Sequence, residues 1–207
     1  MLPRLQAIVD AGAAAARGWA ALDLADAYLD GGARFLQVRA KGLPSDALLE
    51  LCDAVIAIAA PAGAIVIVND RVDLARISGA SGAHVGQDDL PVADTRALLG
   101  PRAIIGHSTH TTAQILEALS QPSTYIAVGP VFGTRTKDTG YEAVGLDLVR
   151  GAARLCGGRP VVAIGGITLE TAPSVLEAGA ACVAVIGDLL ATGDPASRVR
   201  EYCAQLR

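Results

Sequence analysis

Short runs of Val, Ile, Ala and Leu alternate with longer amphipathic stretches along the whole chain. The apolar runs fall at 4–9, 34–39, 64–68, 82–85, 103–106, 125–128, 160–164 and 182–186. Each is long enough for one strand, and several are apolar throughout, as in strands covered on both faces. Between them, apolar positions recur three and four apart at 22–30, 46–60, 92–99, 113–119, 146–155 and 169–178, and again at 195–206. That spacing gives a helix one apolar face. Punctuation agrees with the pattern. Asp30-Gly31-Gly32 and Ala178-Gly179-Ala180 end helices with residues that tolerate a left-handed backbone, and Ser45 stands where an N-cap is expected.

Eight strands, each followed by a helix or helical turn, predict a closed (β/α)8 TIM barrel, one catalytic domain over residues 1–207. An open doubly wound sheet would gather its ligand chemistry at one switch point. Here polar and glycine-rich residues recur after nearly every strand, as a ring of loops at one barrel mouth requires.

Composition narrows the function. The chain is 52% hydrophobic but only 3% aromatic, so its core is aliphatic, and it is too apolar for intrinsic disorder. The net charge of −4 comes without a run of one sign, which argues against a nucleic-acid partner. Small anions remain open, because a few cations and backbone N–H groups suffice for phosphate. No stretch is long enough to span a membrane. Cys52, Cys156, Cys182 and Cys203 lack metal-site spacing. A cytoplasmic setting is the expectation.

Candidate chemistry lies at the strand ends. Asp70 follows the run 64–68 and Asp89 follows 82–85, so two carboxylates at neighbouring strand ends can share one divalent cation. Both also stand where helix N-caps occur, and spacing leaves the two readings open. In Gln37-Val38-Arg39-Ala40-Lys41, alternation sends Gln37, Arg39 and Lys41 to one side. Two inward cations call for an anion between them, or for a carboxylate partner such as Asp70. The loop after strand six carries Thr134, Arg135, Thr136 and Lys137, an anion-closing flap or a solvated loop. Gly165-Gly166 after strand seven and Ile186-Gly187 after strand eight occupy the usual phosphate position of barrel enzymes. Ser108 lacks a nucleophile elbow, which favours a hydrogen bond to phosphate over nucleophilic attack. His107 and His110 read as plain loop residues.

Taken in order, QVRAK at 37–41, VNDRVDLA at 68–75, GAHVGQDDLP at 82–91, GHSTHT at 106–111, VGPVFGTRTK at 128–137 and VAIGGI at 162–167 resemble the thiamine-phosphate synthase family. The resemblance implies a Mg2+-dependent transferase with one ion per active site. It would join 4-amino-2-methyl-5-hydroxymethylpyrimidine diphosphate to 4-methyl-5-(2-phosphoethyl)thiazole and release diphosphate. By motif, Asp70 and Asp89 would hold the metal. Gln37, Val38, Arg39, Ala40, Lys41, Asn69, Ser108 and Lys137 would bind the pyrimidine diphosphate. Thr134, Arg135 and Thr136, with Gly166, Ile186 and Gly187, would hold the thiazole phosphate. Arg39, Lys137 and Ser108 would act on the departing diphosphate. Gly187 stands where the family commonly has Ser, leaving only a backbone donor there. Two alternatives share the scaffold: a thiazole tautomerase, which needs no metal diphosphate site, and a non-catalytic phosphate-ligand sensor. Both substrates are small molecules; a homodimer formed through outer helices is the assembly to look for.

Overall fold

The computed structural model describes residues 1–133 and 142–207. Eight parallel strands close into a barrel in sequence order, with β1 (Leu5–Asp10) paired to both β2 (Phe35–Arg39) and β8 (Cys182–Val185). Between these lie β3 (Ile65–Asn69), β4 (Gly82–Val85), β5 (Ile104–Thr109), β6 (Tyr125–Val128) and β7 (Val161–Ile164). The helices are α1 (Ala11–Ala15), α2 (Ala21–Asp30), α3 (Ser45–Ala59), α4 (Val72–Ser78), α5 (Val92–Leu99), α6 (Thr112–Leu119), α7 (Gly145–Leu155), α8 (Ala172–Glu177) and α9 (Pro195–Gln205). The expected barrel is therefore the observed one.

Strand alternation divides the core in two. Leu36, Val38, Val66, Val68, Val183 and Val185 face outward and pack beneath the helices. Ile8, Phe35, Ile67, Tyr125, Ala127, Val162, Cys182 and Ala184 face inward and fill the barrel axis. Bulky side chains on neighbouring strands fill the axis, so this barrel is a packed core below the cavity at its mouth. The ring is closed outside by α2 against α9, where a Cβ on Gly31 would come within 2.6 Å of Ala196 O and of Val199 Cβ. Arg159 ties the loop before β6 by donating to Ala118 O, Leu119 O, Gln121 O and Ser123 Oγ. That arginine is a strut, unavailable to an anionic ligand.

The departures from expectation have local causes. Helices α1 and α4 carry little periodic signal; α1 is all Ala and Gly, and α4 starts at Val72 behind Arg71, which gives it no side-chain cap. Helix α8 begins three residues later than 169, because Thr168 N donates to Thr171 Oγ1 and holds that stretch in a turn. Ser45 is not an N-cap. Pro44 occupies that position, and the Ser45 hydroxyl instead accepts from Arg71 Nη1 at 2.9 Å. Among the described residues, no helix is long and apolar enough to cross a membrane.

Candidate active site

The strands' C-terminal ends surround a cavity of about 330 Å3. Its floor is Ile8, Ala127, Ile164 and Ala184, and its walls carry Gln37, Arg39, Asn69, His84, Ser108, His110 and the glycine loops after β7 and β8. A cavity with an apolar base and a few convergent polar groups is the usual form of a small-molecule site.

The β2 run behaves as alternation dictates. Gln37, 3% exposed, and Arg39 reach the cavity, whereas Val38 and Ala40 pack into the outer layer under the helices. Arg39 Nη1 is paired with Asp10 Oδ2, the two side chains being only 12% and 7% exposed. The other Asp10 oxygen accepts from Ala13 N at 2.8 Å and starts α1. One carboxylate thus caps a helix and aims a guanidinium. Arg39 Nε is buried without a hydrogen-bond partner among the described residues, an unsatisfied donor of the kind that marks a functional site. Lys41 lies past the end of β2, where alternation no longer holds. It is largely exposed, and its Nζ is 3.4 Å from Asp70 Oδ2.

At the ends of β3 and β4 the chain turns sharply. Asp70 has φ 61°, the left-handed region that Asp tolerates better than most residues, and its N–H donates to His84 O at 2.8 Å. Asp89 accepts from Gly86 N at 2.7 Å, so neither carboxylate caps a helix. The two carboxyls lie close enough for their charges to interact. Burial first, and then the Asp89 charge, raise the Asp70 carboxyl above its ordinary range, while Lys41 pulls it back. Two hard oxygen donors held together against their own repulsion fit a divalent cation. No group of three or more His, Cys, Asp or Glu is assembled for a metal among the described residues, so the remaining ligands would be water or substrate oxygens.

A buried chain of polar groups crosses the barrel between β4, β5 and β6. Tyr125 OH lies 2.9 Å from His84 Nδ1, and His84 Nε2 lies 2.8 Å from Ser108 Oγ. Gln6 Nε2 donates to the tyrosine oxygen from β1 at 3.4 Å. Burial holds the Tyr125 phenol well above its usual pKa, so it stays protonated. In the tautomer where the phenol donates to Nδ1, Nε2 carries the proton and donates to Ser108 Oγ. That tautomer leaves the serine's own hydrogen available to a ligand in the cavity that Ser108 lines. Gly106 makes the crossing feasible, since a Cβ there would lie 2.1 Å from Tyr125 Cζ.

On the far side, Gly165 and Gly166 have φ of 101° and 63°. Val131 N donates to Ile164 O and Phe132 N to Gly165 O, which stitches the loop after β6 to the loop after β7. Ile186 and Gly187 line the same wall. Thr134, Arg135, Thr136 and Lys137 lie outside the described residues.

The structure therefore gathers Gln37, Arg39, Asn69, Ser108, Gly166, Ile186 and Gly187 around one cavity and turns Val38 and Ala40 away from it. His110 also lines the cavity, its Nδ1 2.5 Å from Gly129 O, although it reads from sequence as a plain loop residue. His107 faces away, and burial lowers its pKa. Asp10, His84, Tyr125 and Asp188 are additions that sequence reasoning missed. Alternation in Gly82-Ala83-His84-Val85 would have put His84 inside, and extending β1 by one residue would have added Asp10.

A family model described as thiamine monophosphate synthase matches residues 5–189. The chain belongs to the thiamine monophosphate synthase family. Among its relatives, the thiamine-phosphate synthase of Anaeromyxobacter dehalogenans is 44% identical over 171 residues, covering 83% of this chain and 76% of the relative. That of Acidothermus cellulolyticus is 43% identical over 182 residues, covering 87% and 85%. The solved thiamine phosphate pyrophosphorylase of Pyrococcus furiosus superposes with a TM-score of 0.88 at 28% identity, covering 98% of this chain and 95% of that one. Family members are transferases of thiamine biosynthesis, and the site described above sits where a barrel enzyme's chemistry belongs.

Proposed function

We propose that this chain is a thiamine-phosphate synthase. It condenses 4-amino-2-methyl-5-hydroxymethylpyrimidine diphosphate with 4-methyl-5-(2-phosphoethyl)thiazole and releases diphosphate by dissociative substitution. The observation that carries the reading is the pairing of Asp70 with Asp89 immediately beyond Asn69, which together with Arg39 lines the cavity. This is a site for a metal diphosphate, with a separate pair of glycine loops opposite for a second phosphate.

In this proposal Asp70 and Asp89 hold one Mg2+, which when bound supplies positive charge against the charge growing on the departing diphosphate. Arg39, fixed by Asp10, presents its guanidinium to the same oxygens before the bond breaks, so little reorganisation is needed as charge develops. Ser108, turned outward by His84, donates one further hydrogen bond. Lys41 and Lys137 complete the cationic side. Gln37 and Asn69 orient the pyrimidine ring, and Ile8, Ala127 and Ala184 exclude water beneath it. The electron-rich pyrimidine then ionises at its methylene carbon, and the thiazole nitrogen attacks that carbon. Thr134, Arg135 and Thr136, with Gly166, Ile186 and Gly187, hold the thiazole phosphate so that the encounter is local.

No protein nucleophile takes part. His84 is oriented by a phenol, where a serine nucleophile's histidine would be oriented by a carboxylate. The four cysteines are all free thiols, which fits the cytoplasmic setting proposed for the enzyme. The test is product analysis of purified protein with both substrates. Thiamine phosphate and diphosphate should appear in equal amounts. Isomerisation of the thiazole without diphosphate release would transfer the site to a tautomerase, and binding without turnover to a sensor.

A further inference from the structure

The two glycine loops of the proposed thiazole phosphate site are joined by a carboxylate. Asp188 follows Gly187 in the short turn after β8 and lines the cavity. Its Oδ2 accepts from Leu169 N at 3.0 Å, which fastens the turn after β8 to the loop that follows β7. Helix α9 holds the carboxylate from behind. Arg198 donates to Oδ2 through Nε and to Oδ1 through Nη2, both at 3.1 Å, and Tyr202 OH donates to Oδ2 at 2.8 Å. The Arg198 and Asp188 side chains are 18% and 11% exposed. Glu201 takes the remaining Arg198 nitrogen at 2.8 Å, and the guanidinium lies 5.9 Å from the Tyr202 ring centroid.

A carboxylate beside an anion site is ordinarily a handicap, because like charges in a partly dry pocket repel. Here it is saturated by four hydrogen bonds and cancelled by a guanidinium. Gly187 has no side chain, so the only donor that position offers is its backbone N–H, and its placement depends on how firmly the turn is held. We infer that Asp188 is a positioning residue for the phosphate of the second substrate, and that Arg198 is the group that keeps it from repelling that phosphate. Asp188 fixes the distance between the two loops, and Arg198 bonds its two oxygens in a fork that also sets the carboxylate's plane. The C-terminal helix thereby controls affinity at a site it does not touch. The inference rests on the assignment of the thiazole phosphate to these loops.

Calorimetric binding of 4-methyl-5-(2-phosphoethyl)thiazole tests it, alongside steady-state kinetics. Arg198→Gln uncovers the carboxylate. It should weaken the thiazole phosphate about tenfold or more, raise its KM by the same factor, and leave the KM of the pyrimidine diphosphate unmoved. Arg198→Lys keeps the charge and should recover most of the loss. In the Asp188→Asn background, where no charge remains to be cancelled, Arg198→Gln should change affinity by less than about threefold. If Arg198→Gln proves unstable, Tyr202→Phe removes a single bond to the carboxylate and should weaken the same ligand alone. Equal effects of Arg198→Gln in both backgrounds, or a lowered Tm with unchanged affinity, would reduce the network to a structural brace and overturn the inference. Failure of the wild-type protein to bind the thiazole phosphate while binding the diphosphate would instead overturn the assignment beneath it.

Discussion

Substituting Gly106 by Ala probes the buried polar chain most sharply, because the structure gives the size of the collision. The new Cβ would lie 2.1 Å from Tyr125 Cζ, 2.2 Å from its oxygen and 2.4 Å from His84 Nδ1. None of these atoms is a free end. Tyr125 is fully buried and meets Phe35 edge-on at 6.2 Å between centroids. Overpacking of this kind costs about 1–3 kcal/mol. Pushing the phenol off His84 strands two buried polar groups, which costs about 1–3 kcal/mol more. The sum, roughly 2–6 kcal/mol, is a large part of the stability of an ordinary domain, about 5–15 kcal/mol. Tyr125→Phe removes the hydrogen bond alone and should cost only the second part, about 1–3 kcal/mol. Urea denaturation measures both, provided the slope of the transition stays constant. Turnover should fall in both variants, by up to about a hundredfold where His84 and Ser108 are displaced. A Gly106→Ala protein less than about 1 kcal/mol below wild type, with wild-type turnover, would show that the crossing is slack and that Ser108 is not aimed by it.

Three further substitutions follow from the site. Asp10→Asn removes the charge that holds Arg39 while keeping a capping oxygen for α1; breaking this nearly buried pair should cost about 3–5 kcal/mol and raise the KM of the pyrimidine diphosphate, and an unaltered KM would show that Arg39 needs no guide. Gly166→Ala meets Gly133 O at 2.6 Å from a backbone at φ 63°, so calorimetry should find the thiazole phosphate weakened while the diphosphate substrate binds normally; equal weakening of both would make the loop a general support. Asp70→Asn has a pH signature. Burial and Asp89 raise the folded carboxyl above its unfolded value, so the charged form opposes folding above the carboxylate range, and the penalty vanishes as pH falls toward about 4. The metal-free variant should therefore melt higher than wild type at pH 8, with the gap closing on acidification, and Mg2+ should stabilise only the wild type. A lower Tm for the variant at pH 8 would contradict this.

Much of the barrel and part of the site are legible in the amino-acid sequence. The strands read from apolar runs because a barrel strand is covered on both faces, and period two correctly separated Gln37 and Arg39 from Val38 and Ala40. That rule failed at Lys41, since alternation holds only while the strand lasts, and β2 ends at Arg39. What stayed hidden depended on contacts between distant parts of the chain. The bond between His84 and Tyr125 spans two strands and needs the space left by Gly106 between them. The pairing of Asp10 with Arg39 depends on β1 running one residue past its apolar stretch. Asp188 is one acidic residue in a turn until α9 returns to place Arg198 and Tyr202 against it.

The central claim is that Asp70 and Asp89 hold the ion that lets diphosphate depart. Diphosphate release from the two substrates, followed across a Mg2+ titration for wild type and Asp70→Asn, tests it directly. Asn is the substitution to use, because it tolerates the left-handed backbone at this position while removing the charge. Wild-type release should rise to saturation with Mg2+, match thiamine phosphate mole for mole, and vanish with chelator, while the variant should fall about a hundredfold or more. Release at wild-type rate from the variant, or from wild type stripped of metal, would contradict the account.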